Sequence, residues 1–234
     1  MGPRSGPRIG SFPRPAEEAA SGRASLSLSF SSPDAPVLLH ALERIRASGT
    51  AQAIVIVLPP EKLEAIEAEY GEALRRAGVT TVVPGGESRQ ASVARGLAAL
   101  KSTSRLIAVH DAVRPFAGPG LIARLCRAAA LHGGAIPVAA VTDTLKRVSQ
   151  GSVRETVPRR DLVAVQSPQV FERRLFERAY REAPSLGEEV TDDASLVEAV
   201  GGCVQAVEGE RFNLKITTAE DLSLAEALFA SGLV

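Results

Sequence analysis

The chain has 234 residues, 45% of them hydrophobic and 23% charged, a length and balance that describe one compact domain or slightly more. Lys plus Arg (27) equal Asp plus Glu (27), which removes the broad cationic field that nucleic-acid polymers and anionic membranes select, so any anionic ligand must be small and locally held. No apolar run approaches the ~18 residues of a membrane span. Cys126 and Cys203 have no zinc-site or disulfide-framework spacing; both read as core thiols in a reducing cytoplasm.

The first 35 residues hold 17 Pro, Gly and Ser and read as an irregular segment, broken only by a short alternation at Leu26-Ser27-Leu28-Ser29-Phe30. A regular domain is expected from 36 to 234. Helical spacing at 37–47 puts Leu38, Leu39, Leu42 and Ile45 on one face, and the apolar run 54–58 reads as a strand buried on both faces. A helix at 62–77, a strand at 80–83, a helix at 89–100 and a strand at 105–110 follow. Next come a helix at 121–131 and a strand at 135–140. This alternation implies parallel strands, right-handed crossovers, and a three-layer α/β sandwich with ligands at the carboxyl ends of the strands. The rhythm breaks after Val141: polar extended stretches at 143–148 and 153–157 flank Ser149-Gln150-Gly151-Ser152, and together they read as a long hairpin arm over about 141–161. Regular structure resumes at 163–166, with helices at 172–182 and 192–200, a strand at 203–207 and a last helix at 219–230.

Five polar segments fall after strands or at helix starts, and each has a plain structural reading beside a chemical one. Pro84-Gly85-Gly86 through Ser92 is either a simple turn or a set of backbone donors for an anion or a base edge. His110-Asp111-Ala112-Val113-Arg114-Pro115 ends a strand: Asp111 suits a magnesium ion and Arg114 a phosphate, or the two form a structural pair. His110 itself reads as a packed strand-end residue. Thr156-Val157-Pro158-Arg159-Arg160-Asp161 places two guanidinium groups at the base of the arm, as a phosphate clamp or a solvated charge cluster. Thr191-Asp192-Asp193-Ala194 opens a helix, with Thr191 as its N-cap. Lys215 alternates with Leu214 and Ile216, so it points away from the core toward a strand-end cleft, and Thr218 caps the last helix.

In this order and combination the segments are specific. The chain from about 36 to 228 resembles the 2-C-methyl-D-erythritol 4-phosphate cytidylyltransferase family. The resemblance rests on Gly85-Gly86-x-x-Arg89-x-x-Ser92-Val93, His110-Asp111-Ala112-Val113-Arg114-Pro115, Asp143-Thr144-x-Lys146, Thr156-Val157-x-Arg159, Gln166-Ser167-Pro168-Gln169, Thr191-Asp192-Asp193-Ala194 and Lys215-Ile216-Thr217 with Glu220-Asp221-Leu222. It implies a Rossmann-like nucleotidyltransferase sheet, a homodimer formed through the arm, and a cytoplasmic enzyme of non-mevalonate isoprenoid precursor synthesis. Such an enzyme transfers CMP from CTP to methylerythritol phosphate, using magnesium. By motif, Gly86 and Ser92 would contact the cytosine, and Asp111 would bind magnesium and nucleotide. Arg159 and Lys215 would hold the acceptor phosphate, with Arg114, Thr144 and Thr191 as further substrate contacts and Arg159 supplied across the dimer. A cytidylyltransferase for another polyol phosphate, such as ribitol 5-phosphate, and a dimeric scaffold with an incomplete nucleotide site are the alternatives.

The opening departs from that family, which begins with a strand and a loop P-A-A-G-x-G-x-R-(M/L)-G, then P-K, holding the triphosphate. Here Glu17 and Glu18 stand where the triphosphate needs cations. When the third base of each codon is read with the first two of the next, residues 12–36 permit P-A-A-G-x-G-x-R-L-G, then P-K, then G-R-P. These fall at the family's spacing and directly before Val37-Leu38-Leu39-His40. Residues 11–36 therefore read as an out-of-frame remnant of the phosphate loop. A transit peptide, which Glu17, Glu18 and Asp34 fit poorly, and a plain disordered tail are the other readings.

Overall fold

Residues 54–58 have no polar side chain, and all five are buried, because helices cover both faces of the strand they form. The structure, a computed structural model, describes residues 24–29, 35–182 and 192–234. In chain order the elements are β1 (Ala24–Ser29), α1 (Ala35–Ala47), β2 (Ala51–Leu58), a 3₁₀ turn (Pro60–Lys62), α2 (Leu63–Arg76), β3 (Val79–Pro84) and α3 (Arg89–Ala99). They continue with β4 (Leu106–Asp111), α4 (Pro119–His132), β5 (Gly134–Ala140), β6 (Leu145–Ser149), β7 (Ser152–Val157), β8 (Val163–Val165) and β9 (Gln169–Glu172). The remainder is α5 (Arg173–Glu182), α6 (Asp193–Ala199), β10 (Val204–Glu208) and α7 (Ala219–Ala230).

The main sheet runs β10-β5-β9-β4-β1-β2-β3, with β8 added to β5. Alternate residues feed opposite faces. Ile54, Ile56 and Leu58 of β2 pack with Leu38, Leu42 and Ile45 of α1. Val55 and, from β4, Ile107 and Val109 pack with Val93, Phe176 and Leu196 of α3, α5 and α6. These are the three layers expected. The strands that alternate with helices run parallel as expected, while β9 runs antiparallel to both β4 and β5, and β8 antiparallel to β5. Four residues are too few to show a period, so β9 carries no signal in the sequence, and α5 begins one residue later than the helical spacing predicts. Ala24–Ser29, inside the segment expected to be irregular, pairs parallel with β2 on one side and β4 on the other.

The arm is a two-stranded antiparallel ribbon of β6 and β7. Its turn is Gln150-Gly151 with φ of 50° and 74°, the paired positive values of a type I′ hairpin turn. Val148 and Val153 lie on it at 58% and 62% exposure. Of the two expected core thiols, Cys126 is buried in α4, but Cys203 is exposed; it follows the Gly201-Gly202 turn, ahead of the sheet residues of β10. The reversed strand tests the core: Phe171 of β9 is fully buried and stacks on Phe176 at 5.1 Å between ring centroids. Phe171→Ala is expected to cost about 3 to 5 kcal/mol in denaturant unfolding, and a loss below about 1 kcal/mol would contradict this packing.

Candidate active site

Strands β3, β4 and β10 share one direction, so Pro84, Asp111 and Glu208 end them at the same edge of the sheet. After β3 the chain turns tightly into α3. The Gly85 amide donates to Leu58 O at 2.7 Å, and the Gly86 amide donates to Ser92 Oγ at 3.0 Å. The Ser92 hydroxyl donates in turn to Ser88 O at 2.9 Å, and the Ser88 side chain caps α3 by accepting from the Ala91 amide at 3.0 Å. A Cβ on Gly86 would fall 2.5 Å from Ala91 Cβ and 3.1 Å from its carbonyl carbon, so only glycine lets the turn lie against the helix. Gly86 and Ser92 are thus brought together as expected.

The second cluster centres on Asp111, whose side chain is 16% exposed. Lys215 Nζ is 3.4 Å and Arg114 Nε 3.6 Å from the same carboxylate oxygen. Burial opposes ionisation of Asp111, but Lys215, then Arg89, His110 and Arg114, hold its carboxyl below the usual aspartate value. Lys215 keeps 43% of its side chain exposed while Ile216 beside it is buried, as the alternation predicted. Arg114 donates to Asn213 O at 2.8 Å, and the Ile216 amide donates to Val113 O at 2.9 Å, which ties the loop after β10 to the loop after β4. Asn213, fully buried, donates to Ser167 O at 2.9 Å.

Sequence alone showed His110 as a packed residue, and the contacts give its state. Arg114 O can only accept, so Nε2 carries the proton and donates to it at 3.0 Å; Nδ1 then accepts from the Ser167 hydroxyl at 3.0 Å. That hydroxyl also accepts from the Asp111 amide at 3.0 Å. Burial pushes the imidazole down to about 4, against the opposing pull of Asp111.

A third group was missed as a unit. Arg89, at the start of α3, pairs with Asp193 at 2.5 Å, and the Tyr180 hydroxyl donates to the other oxygen of the same carboxylate. The Arg89 and Asp193 motifs were both visible, but nothing local links residues 104 positions apart. Thr191, expected as a substrate contact and N-cap, lies outside the described residues. The cap of α6 is Asp192, which accepts from the Ser195 amide at 3.0 Å and receives Gln169 Nε2 at 3.0 Å.

Arg159 and Thr144 are not gathered into these clusters. Both are exposed, and the Arg159 guanidinium donates to Thr142 O within the arm's own base. Among the described residues no group of three or more His, Cys, Asp or Glu is placed to hold a metal. A single carboxylate such as Asp111 fits a magnesium ion that keeps waters and takes its other ligands from substrate phosphates; it does not fit an all-protein cage.

The sequence model of the 2-C-methyl-D-erythritol 4-phosphate cytidylyltransferase family matches residues 24–231. Among curated proteins, the chain is 40% identical over 194 residues to the enzyme of that name from Pelotomaculum thermopropionicum, covering 82% of each chain. It is 39% identical over 196 residues to that from Geobacillus thermodenitrificans, covering 84% of this chain and 85% of the relative. Among solved structures, the Thermus thermophilus 2-C-methyl-D-erythritol 4-phosphate cytidylyltransferase superposes with a TM-score of 0.73 at 36% identity. That match covers 88% of this chain and 98% of the other.

His110 gives the site a pH signature. Its folded value lies below the unfolded one, so the unfolded chain binds a proton that the folded chain refuses. The stabilisation is present above pH 6.5 and is lost as pH falls toward 4. The loss amounts to roughly 3 kcal/mol over that window. Histidine ring NMR on the ligand-free chain is expected to show His110 neutral until near pH 4; protonation near 6.5 would contradict the bonded, buried ring.

Proposed function

Because the chain belongs to the 2-C-methyl-D-erythritol 4-phosphate cytidylyltransferase family, we propose that this site transfers CMP from CTP to methylerythritol phosphate. A phosphate oxygen of the acceptor forms the new bond to the α-phosphorus of CTP. The α–β phosphoanhydride bond breaks, and pyrophosphate leaves with the bonding electron pair. Both reactants are anionic, so the work of the protein is to place cations where their charges meet. The observation that carries this reading is Asp111 held between Lys215 and Arg114 at the strand ends. It combines one carboxylate for a metal with two cations for phosphates. Magnesium held by Asp111 would supply charge neutralisation at the phosphate oxygens. Gly86 and Ser92 form the turn on which the cytosine would rest, its amide and hydroxyl already ordered by each other.

Arg159 and Thr144 belong to the protruding arm, and the arm's exposed Val148 and Val153 suit burial against a second copy. In a homodimer the arm would carry Arg159 to the partner's acceptor phosphate, which explains why it meets no member of the Asp111 cluster within one chain. Two free cysteines suit a reducing cytoplasm, and no helix among the described residues is long and apolar enough to cross a membrane.

Competence is a separate matter, because residues 11–36 read as the phosphate loop out of frame. Loss of one preorganised donor costs roughly a hundred- to a thousandfold in kcat, so the chain as written is expected to turn over slowly. Replacing residues 11–36 by their in-frame reading should raise pyrophosphate release with CTP, magnesium and methylerythritol phosphate by about a hundredfold or more. Ribitol 5-phosphate should stay at background. Equal rates in both chains would refute the reading of that segment, and no turnover in the restored chain would refute the function. In the restored chain, Lys215→Ala and Arg159→Ala should each lower kcat/KM by roughly a hundredfold, and an unchanged rate would remove that residue from the site. Sedimentation should show a dimer.

A further inference from the structure

Asn213 is fully buried, yet it lies in the loop after β10, two residues before the half-exposed Lys215. Its side-chain nitrogen donates to Ser167 O at 2.9 Å and reaches Gln166 Oε1 at 3.4 Å. Both of these atoms can only accept, so they orient the amide. Its own oxygen is then left buried without a hydrogen-bond partner among the described residues. Buried polar atoms in that state are rare and costly, and a side chain serving only to fill the core here would be apolar. The main chain of Asn213 is committed as well: the carbonyl accepts from Arg114 Nη1 at 2.8 Å, and the amide donates to Glu210 O at 3.1 Å. Ser167, on which the carboxamide rests, takes the Asp111 amide on its hydroxyl.

We propose that Asn213 is a positioning residue: by fixing the loop after β10 on Ser167, its buried carboxamide presents Lys215 to the acceptor phosphate in register with Asp111. The inference rests on the reading of the site given above. Lysine is a point charge on a long, flexible stem, so only its main chain can aim it. Here that main chain is clamped on both sides. Asn213 holds it ahead of Lys215, and the Ile216 amide, donating to Val113 O at 2.9 Å, holds it behind. The first clamp runs to the segment that seats Asp111, and the second to the loop that carries Arg114. Lys215 and the carboxylate it faces, 3.4 Å away, are thus set against one frame. A displacement of about 1 Å in a group that orients a reactant is enough to slow transfer, and release of one clamp permits it.

Asn213→Leu keeps the approximate volume and removes the donor. In the restored chain it should lower kcat/KM for methylerythritol phosphate roughly tenfold. Added to Lys215→Ala, it should lower the remaining rate by less than about threefold, because the group it aims is already gone. In the chain as written, native-state hydrogen exchange should show the Ile216 amide exchanging about tenfold faster in Asn213→Leu, while the amides of β2 at the centre of the sheet keep their rates. A merely structural role predicts faster exchange in both places, and the same tenfold loss of rate whether or not Lys215 is present. If Asn213→Leu does not fold, Asn213→Ser, smaller and able to admit a water, carries the same readouts. A loss that multiplies in full with that of Lys215→Ala, or an Ile216 amide with unchanged exchange, would overturn the proposal. No turnover in the restored chain would instead count against the functional reading, and the exchange of Ile216 would then decide the proposal alone.

Discussion

A carboxylate at the end of a buried strand is costly to keep ionised, and Asp111 stays ionised only because the chain surrounds it with fixed positive charge. That constraint organises the neighbouring loops. Arg114 is three residues on, in the loop that His110 grips through Arg114 O. Lys215 comes from the loop after β10, and that loop is tied to the first by Arg114 on Asn213 O and Ile216 on Val113 O. Neither loop keeps its cation in place without the other. His110 contributes as a neutral ring whose two nitrogens are both bonded, one to Arg114 O and one to Ser167, which fixes both segments without burying a charge.

The reversal of β9 makes this possible. Gln169 pairs with Val109, next to the end of β4, so the chain entering β9 arrives at the functional edge. A parallel strand in that slot would leave Gln166 and Ser167 at the far edge of the sheet. As it is, Ser167 reaches the Asp111 amide and His110, and Gln166 binds the Glu210 amide and carbonyl at 3.2 and 2.9 Å. Glu210 in turn accepts from the Gly118 amide ahead of α4 at 2.8 Å. Three loops are cross-linked by buried amides and a hydroxyl, whose unpaired states would each carry a desolvation penalty. The short strand therefore acts less as a sheet member than as a carrier of polar groups to the site.

What could be read in advance follows from the range over which each signal acts. Helices and parallel strands showed themselves because burial on a face repeats along the chain, and their observed ends fall within a few residues of those expected. The Lys215 alternation and the Thr218 cap, seen now as a capping box with Asp221, are equally local. β9 was too short to have a period, and Cys203 was misjudged because one residue beside a glycine turn carries no pattern. Thr191 and Asp192 are both good caps by composition, and only the backbone shows that Asp192 is used. The Arg89, Asp193 and Tyr180 group needed three segments brought together in space. Arg159 bonds within the base of its own arm and Thr144 is exposed, so the role of both rests on family resemblance alone.

The opening segment separates what the fold requires from what the chemistry requires. Between β2 and β4 a strand must be supplied, or two rows of backbone donors and acceptors at the centre of the sheet go unpaired. Ala24–Ser29 fills that slot with six residues in parallel register to both neighbours. Ladder pairing uses the main chain, so a sequence unlike the family's own strand can satisfy it. The phosphate loop that residues 12–27 would spell in the other frame has no such latitude, because a triphosphate is held by particular amides and by cations. In the frame as written, that stretch carries Glu17 and Glu18 where the reading would need cations. On the proposed frame reading the change would fall unequally on the two demands: the sheet keeps its centre, while the loop, which only sequence identity can provide, would be lost.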